Sequence, residues 1–347
     1  MKAIEQSRTL IAETMEKQKI PGLSIAVAID GRIVWSEAFG FADLENQIRT
    51  TPKTRFRIAS ISKTFTAAAM AKLYEQGKLD IDAPVQKYVP NFPQKEGEIT
   101  SRQLVGHLSG IRHLRRSADE AKDEFYDRKK YFRSVSEELK FFENDPLDFP
   151  PGTKYGYSNF GFSLLSAVIE GAAKKDFLTY VKQEVFDPLN MPDSAADENS
   201  KIIPNRSAFY SLNKEREWIN APYIDQSRSW AGSGFLSTSE DLVRYGSAFL
   251  QPGYLKAETL KEMFTLQKTK DGKETEAGFA WRIKKDSDGR VFYNHPGENV
   301  GGRSYLVMYP KEKVVVAMLH NITGAHLGSI IAISKHFVEE VTEKGKL

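Results

Sequence analysis

Ser60 stands three residues before Lys63 in the run Phe56-Arg57-Ile58-Ala59-Ser60-Ile61-Ser62-Lys63. The segment from Ser60 to Gln76 reads as a helix, and positions three apart share a helix face. A serine hydroxyl is a weak nucleophile until a neighbouring base takes its proton. A lysine amine can be that base where burial or nearby positive charge lowers its pKa. A helix start also leaves backbone N–H groups without intrahelical partners, and these can hold an oxyanion. Ser-x-x-Lys alone is weak evidence, since the spacing arises on many solvent-facing helices.

A second group follows in Pro150-Pro151-Gly152-Thr153-Lys154-Tyr155-Gly156-Tyr157-Ser158-Asn159. Tyr157 and Asn159 sit two apart in a Pro/Gly-rich loop ahead of an apolar helix over 162–169. Beside a lysine ammonium the phenolate of Tyr157 is favoured, so it can pass a proton between Ser60 and a leaving group. Asn159 can bond Lys63 and a substrate amide with one side chain. A third group, Asn294-His295-Pro296-Gly297-Glu298, lies at the end of a predicted strand. A strand edge there offers a docking surface and a backbone N–H. Gly297 permits close backbone approach, and His295 offers a hydrogen-bonding or cationic group near pH 7.

The elements that must position these residues are legible in outline. Residues 2–18 suit an amphipathic surface helix. Strands over 23–29 and 32–39 flank Asp30-Gly31, a two-residue hairpin signal. Gly77 is expected to cap the Ser60 helix. Residues 84–93 read as loop, and the following hundred or so as mainly helical. Strands return at 278–283, 290–294, 304–309 and 314–319, and a helix over 327–341 closes the chain. One sheet is thus expected from both chain ends. The expected division is a sheet-containing α/β domain over 1–90 and 240–347, with an inserted helical domain over 91–239 and the active site between them.

With 347 residues, 27% charged and 40% hydrophobic, the chain has the balance of a globular protein. Its net charge of +3 gives no case for nucleic-acid binding. The absence of cysteine excludes disulfides and thiolate chemistry. The longest apolar run, 23–29, is too short to span a bilayer. No signal peptide is expected in the chain as written, so the expectation is cytoplasmic, or exported if a leader has been trimmed. The histidines show no metal-binding spacing, and no cofactor or metal is expected.

Taken together, the three motifs in this order resemble the serine β-lactamase and penicillin-binding-protein superfamily, whose Ser-x-x-Lys is a family signature. The Tyr-x-Asn and His-x-Gly forms resemble its class C-like branch, peptidase family S12. Within it, the segments 56–63, 107–113 and 230–238 look like the mitochondrial serine β-lactamase-like group. The resemblance implies an antiparallel sheet flanked by helices, with Ser60 as acylated nucleophile. Lys63 and Tyr157 would share the acid and base work, with the first proton acceptor left open. Asn159, His295 and Gly297 would bind substrate, and the Ser60 and Glu298 N–H groups would form the oxyanion hole. Pro296 stands where relatives often carry threonine, which removes a carboxylate-binding hydroxyl and implies weak or no β-lactamase activity.

The resulting expectation is a serine hydrolase of peptide amides or esters. Arg112, His113, Arg115, Arg116 and Arg303 are candidates for positive charge at the cleft, favouring acidic substrates. Arg112 to Arg133 reads as a solvated face or a lid. Members of the mitochondrial group form filaments, so a homo-oligomeric scaffold with a vestigial site is the alternative.

Overall fold

The computed structural model describes residues 1–115 and 130–344. Most of the charged run from Arg112 to Arg133, Arg116 included, lies outside the described residues.

The chain opens with α1 (Lys2–Gln18), β1 (Gly22–Ile29), β2 (Arg32–Asp43), β3 (Ile48–Arg49), β4 (Phe56–Arg57) and α2 (Ser62–Glu75). Next come α3 (Ser101–Val105), α4 (Val135–Leu139), α5 (Asn159–Ala173) and α6 (Phe177–Val181). Short strands β5 (Ala195–Ala196), β6 (Tyr210–Leu212) and β7 (Trp218–Asn220) precede α7 (Trp230–Ser233), β8 (Phe235–Ser237), α8 (Ser239–Ser247) and α9 (Ala257–Met263). The chain finishes with β9 (Arg282–Lys285), β10 (Val291–Asn299), β11 (Gly302–Tyr309), β12 (Val314–His320) and α10 (Ser329–Lys344).

Both chain ends build one seven-stranded sheet, in the order β3-β2-β1-β12-β11-β10-β9. The pairings along it are antiparallel. The β1–β2 turn is as the sequence indicates: Asp30 and Gly31 have φ of 49° and 76°, the left-handed pair that a tight hairpin demands. The stretch 91–239 is not helical throughout: its β8 pairs with β4 of the N-terminal segment on one side and with β5 on the other.

The sheet is covered on both faces. Val314, Val316 and Met318 of β12 pack with Ile11, Ile330 and Phe337 from the terminal helices. The alternate residues Val315, Ala317 and Leu319 join the larger core with Phe65, Leu165 and Leu242 of α2, α5 and α8. Side chains alternate across a strand, so covering both faces requires the unbroken apolar run of β12. Each fully buried aliphatic side chain contributes about 1.5–3 kcal/mol.

Two strands depart from expectation in ways that shape the site. The strand read from Gly278 begins only at Arg282, because Gly278 N–H turns back to the Trp281 carbonyl and Ala280 has φ of 64°. The strand read as ending at Asn294 runs on to Asn299, with Gly297 opposite Ser304 and Glu298 opposite Arg303. Since β9 pairs β10 only as far as Asn294 opposite Arg282, β10 beyond it is partnered on one side. Proline is tolerated on such an edge.

Candidate active site

Ser60 lies in a 3₁₀ turn, Ala59–Ile61, and the α-helix begins two residues later than expected. In a 3₁₀ turn residues three apart eclipse, which keeps Ser60 and Lys63 on one side. The turn is entered through Ala59 with φ of 48°, a left-handed conformation that costs a non-glycine residue about 1–3 kcal/mol. The surroundings enforce it. Ile58 N–H bonds the Phe235 carbonyl at 3.1 Å, and Ser304 Oγ donates to the Ile58 carbonyl at 2.5 Å. A methyl group on Gly297 would stand 2.2 Å from that carbonyl, 2.2 Å from Ser304 Oγ and 3.1 Å from Ala59 Cβ. Gly297 is therefore what lets β10 abut the serine turn.

Tyr157 donates its hydroxyl hydrogen bond to Ser60 Oγ at 2.9 Å. Lys63 Nζ approaches the same oxygen at 3.4 Å and donates to Asn159 Oδ1 and to the Gly232 carbonyl, each at 2.7 Å. Three acceptors match the donor capacity of an ammonium. Lys63 is fully buried, and its charge also faces the Tyr157 and Phe162 rings, 4.8 and 5.4 Å from their centroids. Asn159 is the first residue of α5 rather than part of the loop, with Ser158 as its N-cap accepting from Gly161 N–H. Its Nδ2 amide has no protein partner among the described residues.

Two expectations about charge are corrected by burial. Tyr157 is not a favoured phenolate: burial raises its pKa, and the Ser60 hydrogen bond and Arg282 only partly oppose this. His295 is not a cation near neutral pH. Burial pushes it down to about 3, with the charges of Lys63 and Arg282 adding to the effect. Its Nδ1 lies 2.7 Å from the Pro296 carbonyl, which can only accept, so Nδ1 carries the ring proton.

The cations proposed from sequence fare unevenly. Arg112 is buried and bonds Asp145 at 2.5 Å, so it serves the framework. Arg303 lies 3.5 Å from Glu298. A further cation besides Lys63 faces the site, Arg282, which the sequence reading missed. Its charge partly opposes the rise that burial gives Tyr157, Tyr155 and Tyr305 and adds to the fall that burial gives His295, and no carboxylate among the described residues pairs with it. The Gly232 carbonyl was also missed, because a backbone acceptor carries no residue-type signal. The segment that contains it, Ala231-Gly232-Ser233-Gly234, was singled out by its motif.

A family profile described as "Beta-lactamase" matches residues 8–331. The chain belongs to the β-lactamase family. It is 36% identical to the human mitochondrial serine β-lactamase-like protein LACTB, across 90% of this chain and 73% of that protein. Its fold superposes on the octameric penicillin-binding protein homologue from Pyrococcus abyssi with a TM-score of 0.81 and 27% identity, covering 96% of this chain and 76% of that one. The D-amino acid amidase from Ochrobactrum anthropi SV3 has the same fold at 19% identity and a TM-score of 0.81, with both chains fully covered. As in this β-lactamase-like fold, the sheet is antiparallel and flanked by helices. No helix among the described residues is long and apolar enough to cross a membrane.

Proposed function

We propose that this β-lactamase-like protein hydrolyses peptide amide or ester bonds through an acyl-enzyme at Ser60. The observation that carries the reading is the convergence of Tyr157 and Lys63 on Ser60 Oγ. Asn159 Oδ1 and the Gly232 carbonyl hold that buried ammonium beside the serine, which favours a working site over a vestigial one.

In acylation Ser60 Oγ bonds to the substrate carbonyl carbon. Its proton passes through Tyr157 or a deprotonated Lys63 to the leaving nitrogen or oxygen, and the C–N or C–O bond breaks. In deacylation water adds to the ester carbon, and Ser60 leaves with its proton restored. The Ser60 and Glu298 N–H groups hold the oxyanion in both steps. Because burial keeps Tyr157 neutral at rest, it acts as a relay rather than a standing base. Asn159 fixes Lys63 and offers Nδ2 to a substrate carbonyl, and Gly297 and His295 shape the β10 edge on which the substrate lies.

Arg282 supports a substrate that bears a carboxylate near the scissile bond, which a cation without a carboxylate partner among the described residues attracts. Pro296 supplies no hydroxyl, which argues for weak or absent β-lactam turnover. Cleavage of p-nitrophenyl esters and amino-acid anilides by wild type and Ser60→Ala tests the reading, with loss of turnover in the variant expected. Undiminished turnover in Ser60→Ala would sink it.

An assembly role is the second reading. It is supported by the octameric relative and by exposed Ile48, Trp218 and Ile219. Light scattering across concentrations tests it, and a concentration-independent monomer would remove it.

A further inference from the structure

We propose that His107 and His113 are positioning residues: paired neutral imidazoles that hold Tyr157 and Asn159 on Ser60 by accepting two consecutive backbone N–H groups. The inference rests on the hydrolase reading.

Ser158 N–H donates to His107 Nδ1 at 3.2 Å, and Asn159 N–H donates to His113 Nδ1 at 3.2 Å. These N–H groups open α5, where no intrahelical carbonyl is available to them. The donors are amides, so both Nδ1 atoms must be bare and each ring proton must sit on Nε2. Neither ring can fill this role as an imidazolium, because both nitrogens would then be donors.

The surrounding bonds belong to the same clamp. Gly156 N–H donates to the His107 carbonyl at 2.8 Å, and Ser158 Oγ donates to the Arg112 carbonyl at 2.8 Å. Arg112 is anchored on Asp145 and lies over the Phe160 ring at 4.8 Å. The segment 107–113 thus grips 156–159 at Gly156, Ser158 and Asn159. The imidazoles also flank the Tyr157 ring, with centroids 4.4 Å away for His107 and 5.4 Å for His113.

Two features of His107 fit a ring kept for its acceptor. It sits at φ of 59°, and its Nε2 has no partner among the described residues although it is buried. A ring valued only for packing would be better served by an apolar side chain, which leaves no polar atom unsatisfied. Burial and the charge of Lys63 hold its pKa well below the usual histidine range, which keeps the acceptor bare.

The test compares His107→Asn and His113→Asn with His107→Phe and His113→Leu. The asparagine Oδ1 reaches approximately where Nδ1 stands and accepts, whereas Phe and Leu fill space without accepting. Misplacing a catalytic group by about an ångström costs about a hundredfold in rate. The apolar variants are therefore expected to lose about tenfold to a hundredfold in kcat on a p-nitrophenyl ester, with KM nearly unchanged and folding checked by circular dichroism. The asparagine variants should retain most of kcat. Apolar variants with wild-type kcat would overturn the proposal, as would folded asparagine variants no better than the apolar ones. Long-range ¹⁵N–¹H spectra of the wild-type imidazoles read the tautomers directly, whatever the turnover. Protons on Nε2 of both rings are expected, and a proton on either Nδ1 would refute the clamp. Wild-type protein without turnover but with the Nε2 tautomers would count against the hydrolase reading and leave the clamp standing as a structural fact.

Discussion

The Tyr157 hydroxyl lies 2.9 Å from Ser60 Oγ while Lys63 Nζ stands 3.4 Å from the same oxygen and is bound more closely to Asn159 and Gly232. At rest Ser60 therefore has a neutral donor and a cation beside it, and no free base. The proton must move when substrate docks, and Tyr157 is placed to move it.

Tyr157→Phe removes that relay with little change to packing, since the Ser60 bond is the hydroxyl's hydrogen bond in the site. General acid–base groups contribute about 10²–10⁴-fold. A kcat loss in that range is expected, with KM and melting temperature close to wild type. Steady-state kinetics with a calorimetric scan checks this, and an unchanged kcat would exclude Tyr157 from the proton path.

Gly297→Ala drives a methyl group into the Ile58 carbonyl and Ser304 Oγ, which are themselves hydrogen-bonded to each other. Neither can yield without moving the Ser60 turn. Overpacking of this kind costs about 1–3 kcal/mol, and chemical denaturation should show it. The accompanying loss of kcat should exceed what a distant mutation of equal destabilisation produces.

Arg282→Gln tests the carboxylate preference. Substrates that carry a carboxylate beside the scissile bond should lose kcat/KM by about tenfold or more, the scale of a charge-assisted hydrogen bond. Uncharged esters should change little. Equal losses on both classes would show that Arg282 acts on the fold or on Tyr157 instead.

Stability should fall as pH drops below the ordinary histidine pKa. His295 and His320 are held to about 3 and His107 well below its usual value, in each case first by burial. Between their folded values and about 6.5 the unfolded chain binds the extra protons. Unfolding free energy should therefore rise with pH through this window and flatten above about pH 6.5 as far as these groups are concerned. Each contributes a slope of about 1.4 kcal/mol per pH unit. Urea unfolding at pH 5, 6 and 7 checks the sign. His320→Asn keeps an acceptor for Ile322 N–H and should remove about one-third of the slope. A flat profile would contradict the buried neutral state of these histidines.

The parts of the site visible in the sequence are those fixed by short covalent spacing. Ser60 with Lys63, and Tyr157 with Asn159, announce themselves because three or two residues of chain determine which side chains share a face. Gly297 was legible because only glycine tolerates the approach of Ile58. Arg282 was hidden, since it reaches the site through its register opposite Asn294, which depends on where β9 begins. The Gly232 carbonyl was hidden because any residue type can supply one. The phenolate reading of Tyr157 and the cationic option for His295 fail for one shared reason, that burial was not visible in the sequence; the hydrogen-bonding option for His295 stands. The strand was expected to end at Asn294, whereas the one-sided pairing of β10 lets it continue through Pro296 to Asn299.

The most direct test is intact-protein and peptide-level mass spectrometry after treatment with a fluorophosphonate probe, with p-nitrophenyl ester turnover measured in parallel on wild type and Ser60→Ala. One adduct per chain on Ser60, lost together with turnover in the variant, is the expected result. A folded wild-type protein that takes no adduct, or turnover that survives in Ser60→Ala, would contradict acyl transfer through Ser60.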